Sequence, residues 1–416
     1  MIALIEALGF RCLRYVRQPV GRFHVLVGPN ASGKTTFLDV PALLGRLVSD
    51  GLDAAISDRT QTFEDLVWRR SGRSFELAIE ATIPEERRRL LPGDGFDTVR
   101  YEVSLGLRPA GDEIGILAEK VTLKNASSVE PRQLSLGFPD PPSPPASILT
   151  PKALKGTKTV VNKTLDGNDN FYDETGKGWD HSFKLGPRKS ALGNLPEDES
   201  KFPISTWLKS LLSGGVQQII LNSLLIRKAS PPGQVRGFKP DGSNLPWVIF
   251  DLQKRDSDRV EEWIAHVRTA LPDLEGIRTV ERPDDRHRYI VLRYRGGLEV
   301  PSWMASDGTL RLLALTLPAY LAEFRGVYLI EEPENGIHPR AVETMFQSLA
   351  SVYDAQILLA THSPVILSSV DPGDVLCFAK TEEGATDIVT GLQHPALREW
   401  RGQTNLSVLF AGGVLG

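Results

Sequence analysis

Cysteine is almost missing from this chain: Cys12 and Cys377 are the only two among 416 residues, and they form no Cys-x-x-Cys pair. That excludes a disulfide framework and a cysteine-built zinc site, and it favours a reducing compartment. Long apolar runs are missing as well. The most apolar stretch, Leu310 to Phe324, is interrupted by Arg311 and Glu323 and is shorter than the roughly 20 residues of a bilayer span, so it reads as a buried helix. The N-terminus carries Glu6 early and lacks the basic start, apolar core and small-residue cleavage site of an export signal. The expectation is a cytoplasmic protein with no membrane partner. A strong charge of either sign is missing too. The formal net charge is -4 and the pI is near 6.1, so a DNA contact would need a local basic patch. Residues 124 to 202 carry no heptad repeat, which excludes a long coiled-coil arm there.

What remains is ordinary folded composition, 41% hydrophobic and 24% charged, at a length that suggests two or three lobes. Phe23 to Gly28 (FHVLVG) is a buried strand running into a glycine turn, and Lys34 to Val48 is helical around Pro41. Phe75 to Ile83 and Val99 to Leu107 alternate at the strand period and predict an antiparallel sheet. Between 124 and 202 the composition shifts to Pro, Gly, Asn, Ser and Lys, as in FPDPPSPPAS and GTKTVVNKTLDGNDN. This segment reads as an extended loop or flexible, disordered insertion. Beyond it, helices are expected around Ile204 to Leu212 and Asp256 to Leu271. The last third then alternates helix and strand as a parallel α/β sheet does. The expected division is 1–123, 124–202 and 203–416, and the expected fold class is α/β with a mixed core sheet, an antiparallel β subdomain and an inserted helical/loop region.

Four motifs carry chemistry. GPNASGKT, Gly28 to Thr35, satisfies G-x-x-x-x-G-K-[ST] after a strand and before a helix. Such a loop lets backbone N–H groups and the helix N-terminus surround phosphates, with a lysine reaching the outer oxygens and a hydroxyl serving Mg2+. The expected nucleotide cradle is Gly28, Pro29, Asn30, Ala31, Ser32, Gly33, Lys34, Thr35 and Thr36, with Thr35 also a metal ligand. VYLIEEPENG, Val327 to Gly336, is an apolar strand ending in carboxylates. Glu331 is assigned to the metal shell, directly or through water, and Glu332 to orienting or deprotonating water. SDGTLRLLAL, Ser306 to Leu315, opens a helix with a Ser-x-Gly turn. It can hold a phosphate through Ser306, Asp307 and Gly308, or serve as a simple N-cap. ATHSP, Ala360 to Pro364, places His362 at the end of an apolar strand, where it can meet a terminal phosphate.

In this order the motifs resemble those of ABC-type P-loop ATPase heads of the SMC, RecF and OLD kind. They are most similar to a bacterial predicted-ATPase group that carries SDGTLR, IEEPENGIHP and ATHSP in this form and also DGSNLPWVI, here Asp241 to Ile249. Glu331 departs from the aspartate usual at its position. The resemblance implies ATP and Mg2+ as ligands, ATP hydrolysis, and a head-to-tail dimer with ATP between the P-loop of one copy and the signature of the other. It also implies that Asn335 to His338 lie near that interface. Arg11 and Arg14 correspond to base or phosphate contacts in related heads, or are surface arginines. The glutamine such heads bring to the metal is not assignable, and Gln61 stays without a role. The chain ends at Leu409 to Gly416 without a Toprim nuclease domain, so the resemblance implies a separately encoded effector in phage defence or DNA maintenance. The alternatives are a RecF-like DNA clamp without a nuclease and a non-hydrolysing nucleotide sensor. A transporter subunit is disfavoured by the insertion and by ASDGT in place of LSGGQ.

Overall fold

The computed structural model describes residues 1–93, 95–109, 111–126, 137–151, 154–176, 178–235 and 237–395, leaving out the side chains of Trp179 and Asp180. In chain order it runs β1 (Ile2–Phe10), β2 (Leu13–Pro19), β3 (Phe23–Val27), α1 (Lys34–Asp50), α2 (Leu52–Ser57), β4 (Ser74–Thr82), α3 (Glu85–Arg88), β5 (Thr98–Leu107) and β6 (Ile114–Lys124). There follow β7 (Thr157–Thr164), β8 (Asp169–Tyr172), β9 (Trp179–Phe183), α4 (Pro203–Ser210), β10 (Val216–Ile219), α5 (Ser223–Arg227), α6 (Leu245–Arg255) and α7 (Ser257–Val267). The rest is β11 (Leu274–Glu281), β12 (Arg288–Tyr294), β13 (Leu298–Pro301), α8 (Asp307–Thr316), β14 (Gly326–Glu331), α9 (Pro339–Ala350), β15 (Ala355–Ala360), α10 (Pro364–Ser369), β16 (Val375–Lys380) and β17 (Thr386–Thr390). No helix among the described residues is long and apolar enough to cross a membrane.

Two compact units emerge, one from Met1–Val216 with the strands after Pro372, the other Gln217–Asp371. These boundaries replace the divisions at 123 and 202 that composition suggested, and the 396–416 end lies outside the described residues.

In the first unit an antiparallel sheet runs β2-β1-β4-β5-β6-β7-β8-β9. β5 shows why it is stable. Its apolar positions Val99, Tyr101, Val103 and Leu105 share one face, while Arg100, Glu102 and Ser104 share the other, and both faces are buried. Alternation alone suggests a solvated polar face. Instead Arg100 pairs there with Glu6 at 2.8 Å, Glu80 at 3.2 Å and Glu102 at 2.7 Å. The backbone of 148–150 covers that face: Arg100 donates to the Ile148 carbonyl, and Thr150 N donates to Glu102. Buried charge is tolerated here because every partner is in place.

The segment expected to be a flexible insertion is therefore corrected. It holds β7, β8 and β9, which prolong the sheet. Few large apolar side chains are needed because Val160, Val161 and Phe171 supply the core positions. The polar residues that read as loop composition are structural bonds. Lys163 pairs with Asp169 at 2.7 Å, and Asp169 also accepts from Leu185 N. Glu174 accepts from Ile204 N and Ser205 N at the start of α4, at 2.5 and 2.8 Å. The same unit carries β3 parallel to β16, with β17 antiparallel to β16; the buried thiol of Cys377 in β16 is pushed up to about 12.

The second unit carries β10, β14 and the parallel partner β15, plus a three-stranded antiparallel sheet of β11, β12 and β13 that periodicity did not reveal. The 310-turn after α8 and a buried Trp263 donating to Thr316 at 2.9 Å confirm the expected burial of Leu310 to Phe324 at its N-terminal half. DGSNLPWVI has a packing role: buried Asn244 donates to the Val235 and Gly237 carbonyls, and Arg288 of β12 lies over the Trp247 and Phe250 rings. The arginines of the small sheet face carboxylates, Arg278 with Glu299 and both Arg286 and Arg288 with Glu281.

Burial raises the Glu174 carboxyl from 4.5 to about 7 despite its donors. The folded state thus holds this proton more tightly than the unfolded state. Stability from this group is full below about pH 4.5 and is lost as pH rises through about 7, by about 3 kcal/mol. Urea unfolding of wild type against Glu174→Gln from pH 4.5 to 8 is expected to show that loss only in the wild type. Parallel pH profiles would remove the assignment.

Candidate functional site

The P-loop is shaped by what its glycines avoid. A Cβ at Gly28 would stand 2.2 Å from the Phe378 carbonyl oxygen, and one at Gly33 2.3 Å from Thr386 Oγ1; their φ values of 148° and 104° are also closed to most side chains. The loop can therefore turn tightly against β16 and β17. Lys34 is buried and its Nζ donates to the Gly28 and Pro29 carbonyls at 2.8 and 3.0 Å, which folds the loop around the side chain. Pro29, Asn30 and Ala31 stand exposed at the loop's crest, Ala31 with φ 61°. Ser32 is buried, Thr35 exposed and Thr36 half-buried. Gly33 caps α1 without a side-chain hydrogen bond, and the first turn holds no acid. That helix N-terminus offers partial positive charge and N–H groups to an anion.

Two residues that sequence reasoning passed over hold this loop. Thr386, 354 positions away, donates from Oγ1 to the Ser32 carbonyl at 2.9 Å, and its own N–H donates to the Cys12 carbonyl at 3.0 Å. Cys12 Sγ in turn lies 3.5 Å from Thr36 Oγ1. Arg11 is committed to Asp39 at 3.1 Å, and Arg14 lies 3.6 Å from Glu383. Gln61 is exposed.

In the second unit, β14 delivers Glu331 and Glu332 in succession. Glu331 Oε1 accepts from Gln218 Nε2 of β10 at 3.2 Å. Gln218 is thus a glutamine beside the first acid that the sequence did not identify; its position in the short strand β10 gave no signal. Glu332 is held at φ 45°, a left-handed conformation costing about 1 kcal/mol or more for a non-glycine residue. Its N–H donates to the Ala360 carbonyl at 2.8 Å, and its carboxylate accepts from Asn335 Nδ2. His362 Nε2 lies 4.0 Å from Glu332 Oε1. The structure thus brings Glu332, Asn335 and His362 together at the ends of neighbouring parallel strands.

Ser306 is the N-cap of α8, its Oγ accepting from Thr309 N at 3.1 Å. Asp307 is bound by the Arg227 guanidinium. Gly308 is required because a Cβ there would sit 2.5 Å from the Gly336 carbonyl, so α8 packs closely on the loop after β14. Of the two readings of the Ser-x-Gly turn, the N-cap is the one seen as a hydrogen bond, from Thr309 N to Ser306 Oγ.

Among the described residues no three His, Cys, Asp or Glu side chains gather as a metal cage. By donor chemistry alone, the Thr35 hydroxyl of the first unit and, separately, the Glu331 carboxylate of the second are oxygens of the kind that Mg2+ takes, one or two from protein and the rest from water and phosphate.

The chain has a P-loop motif in an α/β fold of the SMC-head kind. The chain matches the family described as "AAA domain, putative AbiEii toxin, Type IV TA system" over residues 154–368, more than half its length, and belongs to that family. The matched span includes α8, Glu331, Glu332 and His362; the P-loop lies outside it. No curated protein matches the sequence. Among solved structures the chain is similar to an SMC head bound to the C-winged helix domain of ScpA, at 15% identity and TM-score 0.53, covering 94% of this chain and 97% of that one. It is also similar to an SMC head with an extended coiled coil bound to the C-terminal domain of ScpA, from Pyrococcus furiosus, at 14% identity and TM-score 0.50, covering 94% and 96%. At these identities the likeness is one of fold.

Thr386→Val removes one hydrogen bond from the P-loop, worth about 1 kcal/mol. Affinity for a fluorescent ATP analogue is expected to fall about fivefold, while Thr386→Ser retains it. Equal dissociation constants for wild type and Thr386→Val would count against this role.

Proposed function

We propose that the chain binds ATP with Mg2+ and hydrolyses it, and that ATP closes a head-to-tail dimer whose state gates a separately encoded effector. The observation that carries hydrolysis is Glu332: a carboxylate at the end of a core strand, kept in a strained backbone conformation, with Asn335 and His362 against it. Strain of this sort persists where the surrounding structure enforces it, and it concentrates at functional sites.

In this reading Lys34 and the N–H groups at the start of α1 hold the phosphates. Thr35 and Glu331, the latter steadied by Gln218, are the residues that would hold Mg2+, whose charge would offset that of the phosphates. Glu332 orients the attacking water and takes its proton, and His362 donates to the terminal phosphate. General-base assistance of this type contributes about 10²- to 10⁴-fold. Ser306, Asp307 and Gly308 of the second copy present the α8 N-terminus to the same phosphate. The exposed Trp303, Met304 and Leu224 near that helix end supply the apolar surface that a closing dimer covers.

The family description names a toxin and a type IV toxin–antitoxin system, which supports placing the effector in a defence module, with a Toprim-type nuclease as one form. The two similar SMC heads were solved with fragments of ScpA, which supports a fold suited to docking a partner.

Turnover of wild type and Glu332→Gln, with light scattering after size exclusion in ATP, tests the proposal. The variant is expected to lose at least about 100-fold in rate while retaining ATP and accumulating a dimer. Unchanged turnover would falsify the assignment of Glu332.

A further inference from the structure

The acid run continues past the two carboxylates with assigned chemistry, and Glu334 is the residue it leaves without a role. We propose that Glu334 is a positioning residue that ties the loop carrying Glu332 to the loop carrying His362, an inference that rests on the hydrolytic reading above.

The geometry is specific. A single oxygen, Glu334 Oε1, accepts from Thr361 Oγ1 at 2.5 Å and from the His362 backbone N–H at 3.2 Å. Thr361 is fully buried, and its Oγ1 accepts in turn from Ser363 N at 2.9 Å. Thr361 and the His362 main chain are thus hung directly on one carboxylate of the opposite loop, and Ser363 through Thr361. The second tie between the loops is the Glu332 N–H to the Ala360 carbonyl, at 2.8 Å. Together the two ties fix both ends of the short span across which Glu332 and His362 face one another at 4.0 Å.

Stability alone gives no reason for a carboxylate here. Glu334 Oε2 is buried and has no hydrogen-bond partner among the described residues, and an unpaired buried acceptor is destabilising. The side chain is retained for the oxygen that works: it satisfies a buried hydroxyl and a backbone N–H that regular structure does not reach, because β15 has ended at Ala360. Without it the 361–363 turn has lost its acceptor and His362 can swing away from Glu332.

The test uses the full chain. For Glu334→Ala the kcat for ATP is expected to fall at least about tenfold, as misplacement of a positioned group does, with ATP affinity unchanged and KM little moved. Glu334→Gln keeps an acceptor oxygen and is expected to restore kcat to within about threefold of wild type. Thr361→Val, which leaves the carboxylate in place, is expected to reproduce the loss, and Thr361→Ser to rescue it; this pair decides the matter if Glu334→Ala fails to fold. A kcat for Glu334→Ala or Thr361→Val within about twofold of wild type would overturn the positioning role. So would a Glu334→Gln as inactive as Glu334→Ala, since the charge itself would then be at work. Wild-type protein without turnover would instead bring down the hydrolytic reading on which the inference rests.

Discussion

Buried irregular backbone must find hydrogen-bond acceptors, and in this protein carboxylates supply them. Glu119 takes Ala191 N and Leu192 N together with the Ser190 and Tyr101 hydroxyls; Glu174 takes the first N–H groups of α4, Glu76 takes Ile148 N, and Glu102 takes Thr150 N. A segment outside helix or sheet has no internal ladder to satisfy its N–H groups. An ionised carboxylate offers two oxygens and strong, charge-assisted bonds. The cost is visible in the chemistry: burial raises the Glu119 carboxyl and lifts Glu174 to about 7. The described stretches of the polar connection between β6 and α4 are part of the folded body because these acids accept their N–H groups.

The same device recurs at the candidate active site. Glu334 does for the 361–363 turn what Glu119 does for the 190–192 turn, but the residue it fixes is His362. Three acids within four positions thus have three kinds of surroundings. Glu331 meets a glutamine amide, Glu332 meets an asparagine amide and a histidine, and Glu334 meets a buried hydroxyl and main chain. The left-handed backbone at Glu332 is what separates them, since a chain continuing at the strand period would send alternate side chains to opposite faces.

Much of the fold was legible because its elements announce themselves locally. FHVLVG, VYLIE and AQILLA are short apolar runs that became β3, β14 and β15, and the helix around Pro41 and the one after Pro339 lie where periodicity placed them. The misreadings have a common origin. β7 is a strand of Thr, Lys, Asn and two valines whose partner β6 lies across a long connection, β8 and β9 are only four and five residues long, and the β11 to β13 sheet carries arginine–carboxylate pairs across strands. The strands are short and interrupted by charged residues, so the apolar residues they hold, such as Ile290 to Leu292, do not by themselves separate strand from loop. The charged face of β5 looked solvent-facing because the segment that buries it, 148–150, is remote in sequence.

By itself the sequence determined the kinds of chemistry: a glycine-framed lysine and threonine before a helix, acids ending an apolar strand, a histidine ending the next. Those are local facts, dictated by how strands end and helices begin. Tertiary structure alone decided which groups steady them. Thr386 reaches Ser32 across 354 positions, Gln218 reaches Glu331 across 113, and Glu334 reaches Thr361 across 27. A hydrogen bond depends on angstroms in space and carries no record in the composition of either segment, so these supports became visible only when the strands were laid beside one another.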